Sequence, residues 1–130
     1  MAAAPPKYFG RPNLGPTPLP FSDAVRVGDT LYLSGQLGLV DGKLPVSFEA
    51  EAAAAMDNIG AILKARGLTH NDLVKCTVML DDMANWPAFN KVYIPYFKPA
   101  RMPARSAFGA DGLALSARVE VECIAYAGKK

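Results

Sequence analysis

The chain has 130 residues and a mass of 13.8 kDa, the size of one ordinary domain, which buries roughly two thirds of its unfolded surface and needs no staple of metal or disulfide. Hydrophobic residues make up 51% and charged residues 20%, which excludes a disordered chain. The net charge of +2 comes from 14 Lys and Arg against 12 Asp and Glu, with no basic run beyond Lys129-Lys130, so no nucleic-acid footprint is evident.

Prolines at positions 5, 6, 12, 16, 18 and 20 crowd the first 20 residues. Proline fixes φ and removes the backbone donor, so residues 1–20 read as an extended arm, neither helix nor central strand, ahead of a single domain over 21–127. No stretch approaches the roughly 20 apolar residues of a membrane span, and Met1 to Gly10 holds no continuous apolar leader core. The expectation is a soluble, cytoplasmic protein without a membrane partner.

Phe21 to Val27 and Thr30 to Ser34 read as two strands around the Gly28-Asp29 turn. At Ser34-Gly35-Gln36 glycine lets the chain turn or a ligand approach closely. Phe48 to Arg66 is the strongest helical signal: Phe48, Ala52, Ala55, Met56, Ile59, Ile62 and Leu63 recur at three- and four-residue spacing. Ser47 suits the N-cap, Glu49 and Glu51 the positive end of the dipole, and Gly67 the stop. Leu73 to Leu80 is apolar on nearly both faces, as a central strand should be. Trp86 to Phe97 reads as a second helix, ended or kinked at Pro95. Ala104 to Phe108 and Leu115 to Ala127 read as the last two strands.

The single histidine, His70, follows a Gly67-Leu68-Thr69 turn and reads as a solvated loop residue. Without a second histidine or a Cys-x-x-Cys pair the sequence offers no metal site, and nothing in it calls for a cofactor. Cys76 and Cys123 lie in apolar runs and read as two buried free thiols.

The order β-β-α-β-α-β-β argues a two-layer α+β domain with both helices on one face of a sheet. Along the last strand Ala117, Val119, Val121, Cys123 and Ala125 fit the face under the helices, and Arg118, Glu120 and Glu122 fall opposite. In the shorter strand Arg105 and Ala107 share a face. A face carrying arginine and glutamate between apolar neighbours is either a solvated outer face or a cleft, and spacing does not choose between them.

Five strings occur in order: Leu33-Ser34-Gly35-Gln36; Asn58-Ile59 through Gly67 to Asp72-Leu73-Val74-Lys75-Cys76-Thr77-Val78; Asp82-Met83 through Asn90-Lys91-Val92-Tyr93; Pro103-Ala104-Arg105-Ser106; and Val119-Glu120-Val121-Glu122-Cys123-Ile124-Ala125. With them the chain resembles the RidA/YjgF family of reactive-intermediate (enamine/imine) deaminases, a family also called L-PSP endoribonucleases. The resemblance implies a chorismate-mutase-like sandwich with a mixed sheet, assembled as a homotrimer with one cleft at each subunit boundary. It also implies that the face carrying Arg105 and Glu120 turns towards a neighbouring subunit.

By the same resemblance Arg105 grips the substrate carboxylate, a task suited to a rigid guanidinium fork. Glu120 holds the attacking water, and Ser34, Gly35, Asn90 and Phe21 surround the ligand. Two positions depart from the family's active pattern: Phe21 stands where many members have tyrosine, and Ala107 where many have cysteine. The implied activity is hydrolysis of 2-imino or enamine acids to 2-keto acids and ammonia, with no metal or cofactor. A non-catalytic binder of small carboxylates is the alternative. An endoribonuclease ranks last, because the sequence offers no histidine pair and no concentrated basic stripe.

Overall fold

The computed structural model describes residues 4–10 and 19–128; Pro12, Pro16 and Pro18 of the arm and the terminal Lys129-Lys130 lie outside them. Helix α1 spans Phe48–Ala65. The Ser47 hydroxyl accepts the Ala50 N–H at 3.1 Å to begin it. At its end Gly67, at φ +75°, lets the Leu68 and Gly67 amides fold back onto the Leu63 and Lys64 carbonyls, a Schellman closure. Helix α2 is shorter than its pattern suggests, covering Trp86–Tyr93 before a 3₁₀ turn at Ile94–Tyr96. Pro95 explains the early end, since it brings no N–H to the next helical turn.

Among the described residues seven strands form one sheet: β1 Lys7–Phe9, β2 Ala24–Val27, β3 Thr30–Leu33, β4 Gln36–Leu37, β5 Leu73–Leu80, β6 Ala104–Gly109 and β7 Val119–Tyr126. Their order is β1-β2-β3-β7-β5-β6, with β4 also paired to β7. Only β5 and β6 run parallel, and α2 lies in the crossover between them. The sheet is therefore mixed, in two layers with the helices. Strand β1 is an unforeseen use of the proline-rich arm, and it sits at the sheet edge, where proline neighbours cost no ladder bonds. Strand β7 begins four residues later than the pattern suggests. Leu115 and Ser116, at φ 56° and 59°, form a left-handed turn ahead of it.

The core lies between sheet and helices. Ala52, Met56, Ile59 and Leu63 of α1 and Phe89 and Tyr93 of α2 cover Val78, Leu80, Val119, Val121 and Ala125, all buried. The cysteines are buried as expected but not free. Cys76 of β5 and Cys123 of β7 stand directly opposite each other and are joined by a disulfide. A separation of 47 residues hides a pairing that only strand register reveals. His70 also differs from expectation. Its ring packs against Gly60, where a Cβ would collide with it, and Nε2 lies 2.8 Å from the Met56 carbonyl oxygen. It is a docking residue for α1, with Tyr96 alongside at 4.9 Å between ring centroids.

Candidate active site

Arg105 stands in β6 opposite Cys76, so its side chain rises on the helix side of the sheet. There α2 receives it. Asn90 Oδ1 accepts a hydrogen bond from the guanidinium at 2.7 Å. Arg105 Cζ lies 4.8 Å from the Tyr93 ring centroid and 5.9 Å from that of Phe89, within range of a cation–π attraction. Asn90 and Tyr93 are three residues apart, hence neighbours on one helix face. Among the described residues no carboxylate pairs with Arg105. Its charge is held in place by a neutral amide and an aromatic ring, which leaves the fork open to an anion. Tyr93 is only 2% exposed and its hydroxyl has no partner among the described residues. Burial raises its pKa, against the opposing pull of Arg105.

Glu120 belongs to β7 and stands opposite Met79 on one side and Leu37 on the other. Its neighbour Gly35 is a close-approach glycine: a Cβ there would overlap the Glu120 carboxylate. Burial raises the Glu120 pKa, and the like charge of Glu122 adds to the effect. The Ser34 hydroxyl is already committed, donating to the Ser22 carbonyl at 2.5 Å. That bond ties the segment carrying Phe21 to the end of β3. Phe21, 53% exposed, and Gly35 line an open cleft of about 730 Å³ together with Phe9, Leu37, Ile62 and Leu115. Asn58 of α1 fixes the cleft floor by donating to the Leu37 and Leu39 carbonyls at 2.9 and 3.1 Å.

The expected common face for Arg105 and Glu120 does not form within one chain. Across β6, β5 and β7, Arg105 aligns with Cys76 and Cys123, and Glu120 with Met79. Cys76 and Met79 are an odd number of residues apart, so the two side chains leave opposite faces of the sheet. The candidate residues thus fall into two groups, Arg105 with Asn90 on the helix side and Glu120 with Gly35, Ser34 and Phe21 around β4. Tyr93 enters the sequence reading only within the Asn90-Lys91-Val92-Tyr93 string and with no site role, though its three-residue spacing from Asn90 points to one. Among the described residues no group of three or more histidine, cysteine, aspartate or glutamate side chains could hold a metal ion. No helix among them is long and apolar enough to cross a membrane.

The fold and these residue positions define an α+β sandwich with a two-part polar site. The sequence profile of the endoribonuclease L-PSP family matches residues 15–127, and the chain belongs to that family, which includes the RidA/YjgF proteins. It is 44% identical over 112 residues to the mouse (Mus musculus) 2-iminobutanoate/2-iminopropanoate deaminase, covering 84% of this chain and 82% of the mouse protein. It is 41% identical over 109 residues to the chloroplastic Reactive Intermediate Deaminase A of Arabidopsis thaliana. That match takes in 82% of this chain, which spans 58% of the plant protein's length. The crystal structure of RidA from an Antarctic Psychrobacter superposes with a TM-score of 0.80 at 35% identity, over 90% of this chain and 93% of the other.

Proposed function

We propose that this chain is an imine deaminase, hydrolysing small 2-imino acids to 2-keto acids and ammonia in clefts completed by a second copy of itself. The observation that carries the reading is Arg105, an oriented guanidinium with no carboxylate partner among the described residues, backed by Asn90 and Tyr93. Such a group recognises a carboxylate through two parallel hydrogen bonds. Relatives at this level of identity named as 2-iminobutanoate/2-iminopropanoate deaminases support the substrate class.

The chemistry asks little more of the protein. The imine carbon is already electrophilic, so a fixed carboxylate and a fixed water are enough to start. Glu120 takes a proton from that water as its oxygen adds to the carbon, and passes the proton to the imine nitrogen to give the aminoalcohol. The hydroxyl proton then moves to the same nitrogen as the C–N bond breaks, which releases ammonia and leaves the keto acid. A carboxylate with a raised pKa is the better base for this step. Because Arg105 and Glu120 leave opposite faces of the sheet, one ligand meets both only if they belong to different copies. The sheet face away from the helices supports such an assembly, since Tyr8, Tyr32, Phe108 and Tyr126 all stand exposed on it. A homotrimer closes this arrangement with cyclic symmetry.

The ribonuclease reading gains nothing from the single histidine, because His70 is engaged with the Met56 carbonyl. A pure binder of keto acids would keep Arg105 and lack turnover. Generating 2-iminobutanoate in situ with a dehydratase separates these readings. The proposal expects faster imine loss with the protein present, and binding of the keto acid without acceleration would decide for the binder.

A further inference from the structure

Glu51 looks like an ordinary acidic residue in the first turn of α1, yet it is fully buried. Glu49, two residues earlier, is exposed and serves the helix dipole equally well. Glu51 does something else. Its Oε2 accepts the backbone N–H of Arg118 at 2.7 Å, and its Oε1 accepts the Arg118 Nε–H at 2.7 Å. The rest of that guanidinium donates to the Pro45 and Val46 carbonyls at 2.9 and 3.2 Å. The Arg118 carbonyl in turn accepts the Asp81 N–H at 3.1 Å. On its other side the backbone and Cγ of Glu51 press on Gly38, leaving no room for a Cβ there. One ion pair, its carboxylate buried and its guanidinium partly exposed, thus knits the start of α1, the loop before it, the exit of β4, the end of β5 and the entry to β7.

A buried ion pair adds little stability over well-packed apolar side chains of the same size, so its value lies in geometry. The geometry here bears on the candidate site. Immediately before Arg118 the chain makes its left-handed turn at Leu115 and Ser116, a conformation costly for residues with a Cβ. Leu115 lines the cleft beside Phe21 and Gly35. Two residues after Arg118 comes Glu120, packed on Gly35. An anchor on the Arg118 amide therefore stops the turn from relaxing and keeps Glu120 in register with Leu37.

We propose that Glu51 and Arg118 are a positioning pair for the reaction, holding the Leu115-Ser116 turn and the entry to β7 so that the Glu120 carboxylate stays seated against Gly35. This rests on the deaminase reading above. The pair touches no substrate and acts only through Glu120 and the turn.

The test replaces both charges together, Glu51→Met with Arg118→Leu, so that no buried carboxylate is left without its counter-charge. In the full-length protein, imine hydrolysis is measured beside keto-acid affinity and thermal melting. The expected result is a melting temperature lowered by several degrees, because the Arg118 N–H loses its acceptor, keto-acid affinity within about twofold, and a kcat lower by about 10- to 100-fold, the scale of a small misplacement of a catalytic group. Arg118→Lys keeps the counter-charge and loses the fork, so the test survives if the double variant does not fold. There kcat should fall several-fold with keto-acid affinity unchanged. Active wild type beside an equally active folded double variant, or an equally active lysine variant, overturns the positioning role alone. Wild-type protein that leaves the imine untouched overturns the deaminase reading and this inference with it.

Discussion

The two halves of the candidate site are built on different principles. Around Arg105 the work is done by side chains: an amide from α2 orients the guanidinium and an aromatic ring backs it. Around Glu120 the decisive feature is a missing side chain, since Gly35 makes room for the carboxylate and the surrounding backbone is pinned from behind. In the proposed reaction the first half receives the substrate's carboxylate. The second is a carboxylate whose proton affinity is raised by burial and a like-charged neighbour. Their division of labour predicts that binding and turnover respond to different substitutions.

Glu120→Gln should produce the largest effect on turnover, a drop of about 10²- to 10⁴-fold if the carboxylate acts as base. Keto-acid binding should persist, because Arg105 is untouched. The raised pKa also fixes a sign for stability. A carboxyl bound more tightly to its proton in the folded state favours folding at low pH, and that advantage is lost as pH rises from the ordinary carboxylate range through the folded-state pKa. Glu120→Gln should therefore melt above wild type at neutral pH and level with it in acid. Melting curves at pH 4 and pH 7 check the sign. The same shift should move the acid limb of the activity profile above that of an unperturbed glutamate.

Arg105→Ala strikes the other half. Losing one partner of a desolvated charge pair costs about 2–5 kcal/mol in binding, so keto-acid affinity and turnover should fall together. Arg105→Lys should recover little, because a point charge cannot supply the fork. Calorimetry with a 2-keto acid reads the affinity directly.

Smaller effects follow at Tyr93. Tyr93→Leu removes the ring under the guanidinium and should weaken keto-acid binding by about 0.5–2 kcal/mol, the range of a cation–π contact. Tyr93→Phe keeps the ring and deletes a buried hydroxyl that has no partner among the described residues. It should bind like wild type and be at least as stable, since an unpaired buried donor costs about 1–3 kcal/mol. Equal binding losses in both variants would remove the stacking account.

Much of the fold can be read from the sequence because its signals are local. The stripe from Phe48 to Leu63, the cap at Ser47 and the stop at Gly67 sit within one helix, and Leu73–Leu80 appears with the bounds expected. What escapes reading depends on partners distant in the chain. The Cys76–Cys123 bond, the docking of His70 on α1 and the pairing of Glu51 with Arg118 each need the register of separate elements. The candidate residues follow from the family resemblance, not from spacing. Their separation onto two faces emerges only when β6 pairs in parallel with β5 while β7 pairs antiparallel on its other edge. Within single strands Arg105 and Glu120 look alike.

That separation makes the central claim directly measurable. Arg105→Ala and Glu120→Gln proteins, each inactive alone, are mixed in equal amounts, dissociated and allowed to reassemble. If each cleft takes Arg105 from one copy and Glu120 from its neighbour, random assembly restores about a quarter of the clefts, and a similar share of wild-type imine hydrolysis returns. If both residues serve a site within one chain, no mixture holds an intact site and activity stays at the level of the separate variants, which would contradict the account.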